Sequence, residues 1–508
     1  MNASIPESET KGSGPGWILR LLRHRGFQTC VAAIIVVGVA GAVFAYYEFF
    51  RVVPQIVCGD VEEANRATLC ADEAEEKFKY GSLGAEADRG VPYTIFHVLP
   101  RAFPDLLPGS GGYRAFGIPW EEGRELPVGF AKKTMGFPRI TQNCAVCHAA
   151  TYRTGPEAKP VLVVAGPSLT TDVQAFLDFL EAAANDPRFT ADVLLPHIEN
   201  SFDLSILDKL IHRYLIIPLT RKAVLEQAEE FAWMRAHGRP DWGPGRDDPM
   251  NLTKFFMIEM EDDGTTGNAD FPSVWNLGLR EGHSLNWAGE TQDPLAVIID
   301  SALGLGAPPG DAFIEQMTEI RAYLREKEPP PFPFAIDTAK AAAGEPIYKE
   351  FCGDCHEPGG TYFGKVVPIE EIGTDRERFD TWQQEHADAT NRVALEMGVE
   401  RKPMVKDIGY ASQPLDGIWL RAPYLHNGAV PSLRDLLKAP EERTEVFFRG
   451  CDIYDEAAMG FRSEPPFYDC RVFEFDTRLR GNGNGGHAYG VDLGEDEKDK
   501  LVEYMKTL

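Results

Sequence analysis

The sequence predicts a mainly α-helical protein, two helical domains with long loops set behind a single N-terminal membrane span. Three observations carry that prediction. An uncharged apolar stretch lies near the N-terminus, the pentapeptide Cys-x-x-Cys-His occurs twice, and a proline-rich break between the copies is flanked by segments of helical apolar periodicity. The 508 residues suffice for roughly three domains of about 150 residues each. Acidic residues outnumber basic ones 78 to 51, and the formal charge of −27 argues against a grip on phosphate backbones, so nucleic acid is not an expected partner. Charged residues at 25% and hydrophobic ones at 44% are typical of a folded globular chain.

The span comes first. Phe27 to Tyr47 carries no charge and is long enough to cross a bilayer, giving a tail over 1–26 and an anchor over 27–50. A cleaved secretory signal is the competing reading, with Ala40-Gly41-Ala42 small enough for a peptidase. Lys11, Arg20, Arg23 and Arg25 precede the span, so the positive-inside rule leaves the N-terminus in the cytoplasm and exports everything after Arg51. In a bacterium that means an inner-membrane protein with its bulk in the periplasm. Of nine cysteines, Cys30 lies in the span and four belong to the pentapeptides. The rest form two close pairs, Cys58 with Cys70 and Cys451 with Cys470, read as disulfides of an oxidising compartment or else as buried thiols.

The pentapeptides are Cys144-Ala145-Val146-Cys147-His148 and Cys352-Gly353-Asp354-Cys355-His356. Chance would supply roughly 0.003 copies in a chain with this cysteine and histidine content. The spacing suits c-type haem attachment: each thiol adds to a vinyl group and the adjacent imidazole reaches the iron. A redox Cys-x-x-Cys and a zinc site compete for the motif, but the immediate histidine and the export signal favour two covalently bound haem c groups.

Two cytochrome c-like haem domains are therefore expected, over 51–328 and 337–508. Asp311 to Lys327 has helical periodicity and runs into Glu328-Pro329-Pro330-Pro331-Phe332-Pro333, where the helix must stop. Thr338 to Phe351 reads as the helix that delivers Cys352, and Gly494 to Leu508 as a closing helix. The longer first domain adds helical patterns at Asp172 to Ala184 and Leu219 to Ala236, and few segments read as strands.

Iron coordination separates a carrier of electrons from an enzyme, because a haem with two protein ligands does not easily bind O₂ or peroxide. His487, in the flexible run Gly481-Asn482-Gly483-Asn484-Gly485-Gly486-His487, is the preferred distal ligand of the second haem, with Met404 and Met397 as rivals. For the first haem, Met234, Met250, Met257, Met260, His197, His212 and His283 show no pattern that singles one out, which fits an open site.

The segment Leu420-Arg421-Ala422-Pro423-Tyr424-Leu425-His426-Asn427-Gly428-Ala429-Val430-Pro431-Ser432-Leu433 resembles one found in bacterial di-haem cytochrome c peroxidases and in the related methylamine-utilisation enzyme that oxidises tryptophan residues. Within that superfamily the chain is most similar to the rubber oxygenase (RoxA-like) branch. Trp120 to Phe130, Gly136-Phe137-Pro138-Arg139, Phe271-Pro272-Ser273-Val274-Trp275-Asn276 and His487-Ala488-Tyr489-Gly490 carry the likeness, which covers roughly residues 90–508. The resemblance implies His148 and His356 as proximal ligands, His487 as second ligand of the C-terminal haem, and Trp275 as the aromatic bridge between haems. It also puts Tyr424 and His426 near the haem interface. Plain packing is the alternative role for these three side chains. Polyisoprene-cleaving relatives carry phenylalanines where this chain has Val274 and Ser284-Leu285-Asn286-Trp287, so rubber cleavage is not carried over.

The expected function is a peroxidase-type oxidoreductase, its C-terminal haem relaying electrons to a ligand-accessible N-terminal haem. Peroxide or O₂ and a small redox partner such as a cytochrome are the expected partners. A haem-dependent oxygenase acting on an apolar substrate and a pure electron carrier are the alternatives.

Overall fold

The computed structural model describes residues 25–59 and 61–508. The tail with Lys11, Arg20 and Arg23 lies outside the described residues. Two units emerge among the described residues, one running to Pro54 and including Thr134–Phe137, the other of Gln55–Lys133 with Pro138–Leu508.

In the first unit, the α-helix Arg25–Ala45 continues as one π-helical turn over Tyr46–Phe50. Gln28–Phe50 spans 23 residues at mean hydropathy 2.3, and its large apolar side chains, such as Ile34 and Val37, are exposed. By length and composition this helix can cross a membrane, and a signal sequence has the same properties. Val52 and Val53 then pair antiparallel with Met135 and Thr134.

The second unit is mainly helical. Its strands are short, and five two-stranded antiparallel pairs lie within it among the described residues. The expected helices are present with small shifts at their ends. Val173–Asn185 starts where the Asp172 side chain accepts a hydrogen bond from the Ala175 N–H at 2.9 Å. The Leu219 to Ala236 pattern resolves into Ile217–Glu230 followed by a 3-10 turn at Ala232–Arg235. Asp311–Glu326 stops just before the proline run, as the missing N–H groups require.

After the break, Asp337 caps Thr338–Phe351 by accepting from the Ala339 and Lys340 N–H groups, both at 3.1 Å. That helix lies against the closing helix Glu495–Met505. Contact is close because Gly344 has no side chain: a Cβ there would overlap the Lys500 carbonyl and press on Tyr504. Tyr348 and Tyr504 meet with ring centres 5.1 Å apart.

One apolar core, with Trp275 and Trp419 fully buried, takes residues from both sides of the break, from Phe78 to Met505. Both expected cysteine pairs are bonded, Cys58–Cys70 and Cys451–Cys470.

Candidate functional site

Each pentapeptide is presented by local structure that fixes its histidine. In the first, the Asn143 carboxamide accepts from the Ala145 N–H at 3.0 Å and donates to the carbonyls of Lys79 and Gly81, pinning the turn Cys144–Val146. Gly129, at φ +89°, approaches the backbone of Val146 so closely that a Cβ would collide with it. In the second, the helix Thr338–Phe351 ends at Cys352 and a short helix Gly353–His356 follows.

The two histidines are then oriented alike. His148 Nδ1 lies 3.0 Å from the Pro272 carbonyl, and His356 Nδ1 lies 2.7 Å from the Gln413 carbonyl. A carbonyl can only accept, so each Nδ1 carries the proton and each Nε2 keeps its lone pair for a ligand. Burial lowers the His148 pKa to about 4, and burial lowers that of His356 as well, so both rings are neutral at physiological pH.

His487 comes from its glycine-rich loop by a different device. Asn427 donates to the carbonyls of Gly481 and Gly483, at 3.1 and 2.9 Å. Arg443 donates to those of Asn484, Gly486 and His487, at 2.7, 2.8 and 3.2 Å. The loop is thereby held, and the His487 and His356 ring centres stand 6.3 Å apart. That separation leaves room for one metal ion between the two rings, so His356 and His487 would be able to hold a haem iron together. Burial, with smaller contributions from His356 and Arg443, pushes His487 down to about 3, so this ring too is neutral. Among the described residues no second histidine ring stands opposite His148.

A cavity of about 890 Å³, within the size range of cofactor sites, is lined by both pentapeptides, His487, Tyr424 and His426. Met250, Met257 and Met404 also line it, whereas Met234, Met260, Met397, His197, His212 and His283 are not among its walls. Both His212 nitrogens are engaged, by Thr94 at 3.0 Å and by the Asp208 carbonyl at 2.8 Å. Met397 is exposed.

The Tyr424 hydroxyl donates within the backbone, with the carbonyls of Ile418 and Met459 both at 3.2 Å. The His426 ring stacks on Tyr410 with centres 4.2 Å apart, and its Nε2 is buried without a hydrogen-bond partner. Trp275 is fully buried behind the wall formed by Ser273, Val274 and Leu277, and its indole N–H donates to the Asp416 carbonyl at 3.2 Å.

The motif cysteines lack the lowered thiol that a redox Cys-x-x-Cys uses. Burial raises Cys144 to about 11 and Cys352 to about 12, and Cys147 and Cys355 move the same way, whereas a redox Cys-x-x-Cys needs a lowered thiol. Among the described residues, no cluster with zinc-like spacing includes them.

Some polar residues of the cavity carry no sequence motif. Asp247, Thr374, Arg378 and Tyr410 all line it. Burial, reinforced by Asp248, raises the Asp247 carboxyl to about 7, while Arg378 opposes the shift.

Residues 409–448 match a family described as RoxA-like, cytochrome c-like. The chain is 28% identical to the uncharacterized protein y4iM of Sinorhizobium fredii over 283 residues, covering 47% of this chain and 64% of that protein. To the uncharacterized protein y4iJ of the same organism it is 24% identical, covering 77% of this chain and 84% of the relative. The chain thus spans less than two thirds of the first relative. The matched segment holds Tyr410, Tyr424 and His426 in the cavity wall, and its RoxA-like cytochrome c-like character implies haem c binding by a haem-type redox protein.

Proposed function

We propose that the protein is a membrane-anchored, periplasmic di-haem c-type cytochrome acting as a peroxidase-type oxidoreductase. Cys144, Cys147 and His148 would hold one haem, and Cys352, Cys355, His356 and His487 the other. The observation that carries the reading is an asymmetry: His356 faces a second imidazole at 6.3 Å, and His148 faces none among the described residues. Bound haem supplies reversible one-electron chemistry and, where a coordination position is free, a place for a small oxidant.

The protein's own contribution is orientation and insulation. Pro272 and Gln413 fix the two proximal rings through their Nδ1 protons. Trp275 follows Pro272 by three residues and donates to Asp416, which follows Gln413 by three, so one short covalent and hydrogen-bonded path joins the two proximal histidines through the indole. That path supports Trp275 as the electron bridge. The hydroxyl bonds of Tyr424 and the stack of His426 on Tyr410 support a role in holding the wall between the haems.

An oxygenase acting on an apolar substrate is the second reading, favoured by the apolar walls Phe96, Phe130, Phe176, Phe231 and Phe256 of the cavity and by the RoxA-like match.

Optical and electron paramagnetic resonance titration of the full-length protein with cyanide, peroxide and O₂ tests the proposal. Expected are two haems per chain, one low-spin and indifferent to cyanide, the other high-spin and responsive. His487→Gly should convert the low-spin haem, and added imidazole should restore it. Turnover of peroxide with a reduced cytochrome supports the peroxidase, and O₂ uptake driven by an apolar alkene supports the oxygenase. Two low-spin haems that ignore every ligand in oxidised and half-reduced states would sink both and leave an electron carrier.

A further inference from the structure

We propose that Arg378 and Thr374 form a carboxylate-binding site in the cavity wall, occupied by a propionate of the haem held by His356. Arg378 is 2% exposed and spends one nitrogen on Glu290 at 3.0 Å. Its Nε and Nη1 are buried without a partner while the side chain lines the cavity. The Thr374 hydroxyl is buried, lines the same cavity and is likewise unpartnered. Buried guanidinium N–H groups are costly to leave unmade, and their planar fork matches a carboxylate.

Position selects the occupant. Gly486 packs against Gly373 and Thr374, so Thr374 stands beside the backbone that presents His487. Arg378 lines the same cavity as Asp247, Tyr410 and His426 and as both pentapeptides. Arg378 therefore stands in the wall of the cavity that both pentapeptides share, where the acidic edge of a haem would need a cation. Glu290, the remaining charge in contact with Arg378, has its own unpartnered oxygen and does not use the free N–H groups.

The inference rests on the haem reading. A chain isolated without covalent haem would remove both, whereas an unchanged potential in a fully loaded variant removes only this one. The test is redox potentiometry of full-length, haem-loaded wild type, Arg378→Lys, Arg378→Gln and the exposed control Arg392→Gln, each with and without acetate or benzoate. If a propionate is bound, Arg378→Gln lowers the midpoint of one haem by the equivalent of about a tenfold change in its oxidised-to-reduced ratio, about 59 mV. Arg378→Lys then shifts less, the control does not shift, and added carboxylates change nothing. If wild type instead responds saturably to benzoate and Arg378→Gln does not, the carboxylate site stands and its occupant is a free acid. No shift and no response would mean that water satisfies Arg378, and would overturn the proposal. Should Arg378→Gln fail to fold, the propionate bending band of wild type in resonance Raman, compared in H₂O and D₂O, reads the same bond. A band insensitive to exchange would overturn it equally.

Discussion

Lys254 is a cation with no exposure, and it is tolerable in the interior only because Asp263 and Thr265 meet its ammonium group, each at 2.7 Å. It lies in the π-helical turn Thr253–Met257, whose Thr253, Phe256 and Met257 line the cavity, so the pair fixes part of the apolar wall. Burial acts to raise the Asp263 pKa, but bonding to Lys254 and Thr265 outweighs it and holds the carboxyl at about 2. The folded value is below the unfolded one, near 3.9, so the stabilisation is complete above about pH 4 and is lost as pH falls through about 2. A drop of that size corresponds to no more than about 3 kcal/mol, reduced to about 1 kcal/mol because the Asp263 side chain is 36% exposed. Asp263→Asn should therefore lose at least about 1 kcal/mol at pH 7, with the deficit narrowing below pH 4. Denaturant unfolding of both proteins across that range checks it, and a deficit that stays constant down to pH 2.5 would refute the assignment.

At the scale of elements, the delivery of Cys352 depends on two helices meeting without a side chain between them. Gly344 lies on Thr338–Phe351 where a Cβ would run into the Lys500 carbonyl of Glu495–Met505. Gly344→Ala gains helix propensity but forces the helices apart, for a net destabilisation of about 1–3 kcal/mol, read by thermal unfolding. A neutral or stabilising result would show that the packing is looser than the geometry requires. The Asp337 cap became visible only in the structure, whereas both helices were legible in the sequence, the closing one from its apolar periodicity and the other from its place after the proline run. The glycine contact was not, because it pairs residues more than 150 positions apart. The same distinction runs through the site: Cys144, His148, Cys352 and His356 announce themselves by local spacing, and His487 by its glycine-rich loop. Arg378, Thr374 and Asp247 converge only after the chain has folded, so no local pattern could have marked them. Trp275 was marked by resemblance alone, and its hydrogen bond to Asp416 became visible only in three dimensions.

At the scale of the whole molecule, the proline-rich break divides the sequence more than it divides the core. Arg153 donates to Asp452 at 2.7 Å, and its backbone pairs with the loop closed by Cys451–Cys470, which ties the strand after the first pentapeptide to the last fifth of the chain. Trp275 to Asp416 and Arg280 to Asp416, the latter at 2.6 Å and nearly buried, add two further ties across the break. Residues on either side would leave large apolar surfaces and buried charges uncompensated if one half opened alone, at a cost comparable to the whole stability of a domain. Unfolding of Gln55–Lys133 with Pro138–Leu508 should thus be a single cooperative transition, with coincident midpoints for far-ultraviolet dichroism and for haem absorbance. Removing the Cys451–Cys470 bridge by Cys451→Ser should lower stability by about 3 kcal/mol. It should move the dichroism and haem-absorbance midpoints together, although the bridge lies far from either pentapeptide in sequence. If haem absorbance reports an earlier transition than dichroism, the halves are energetically separate and the ties through Arg153, Trp275 and Arg280 are too weak to couple them.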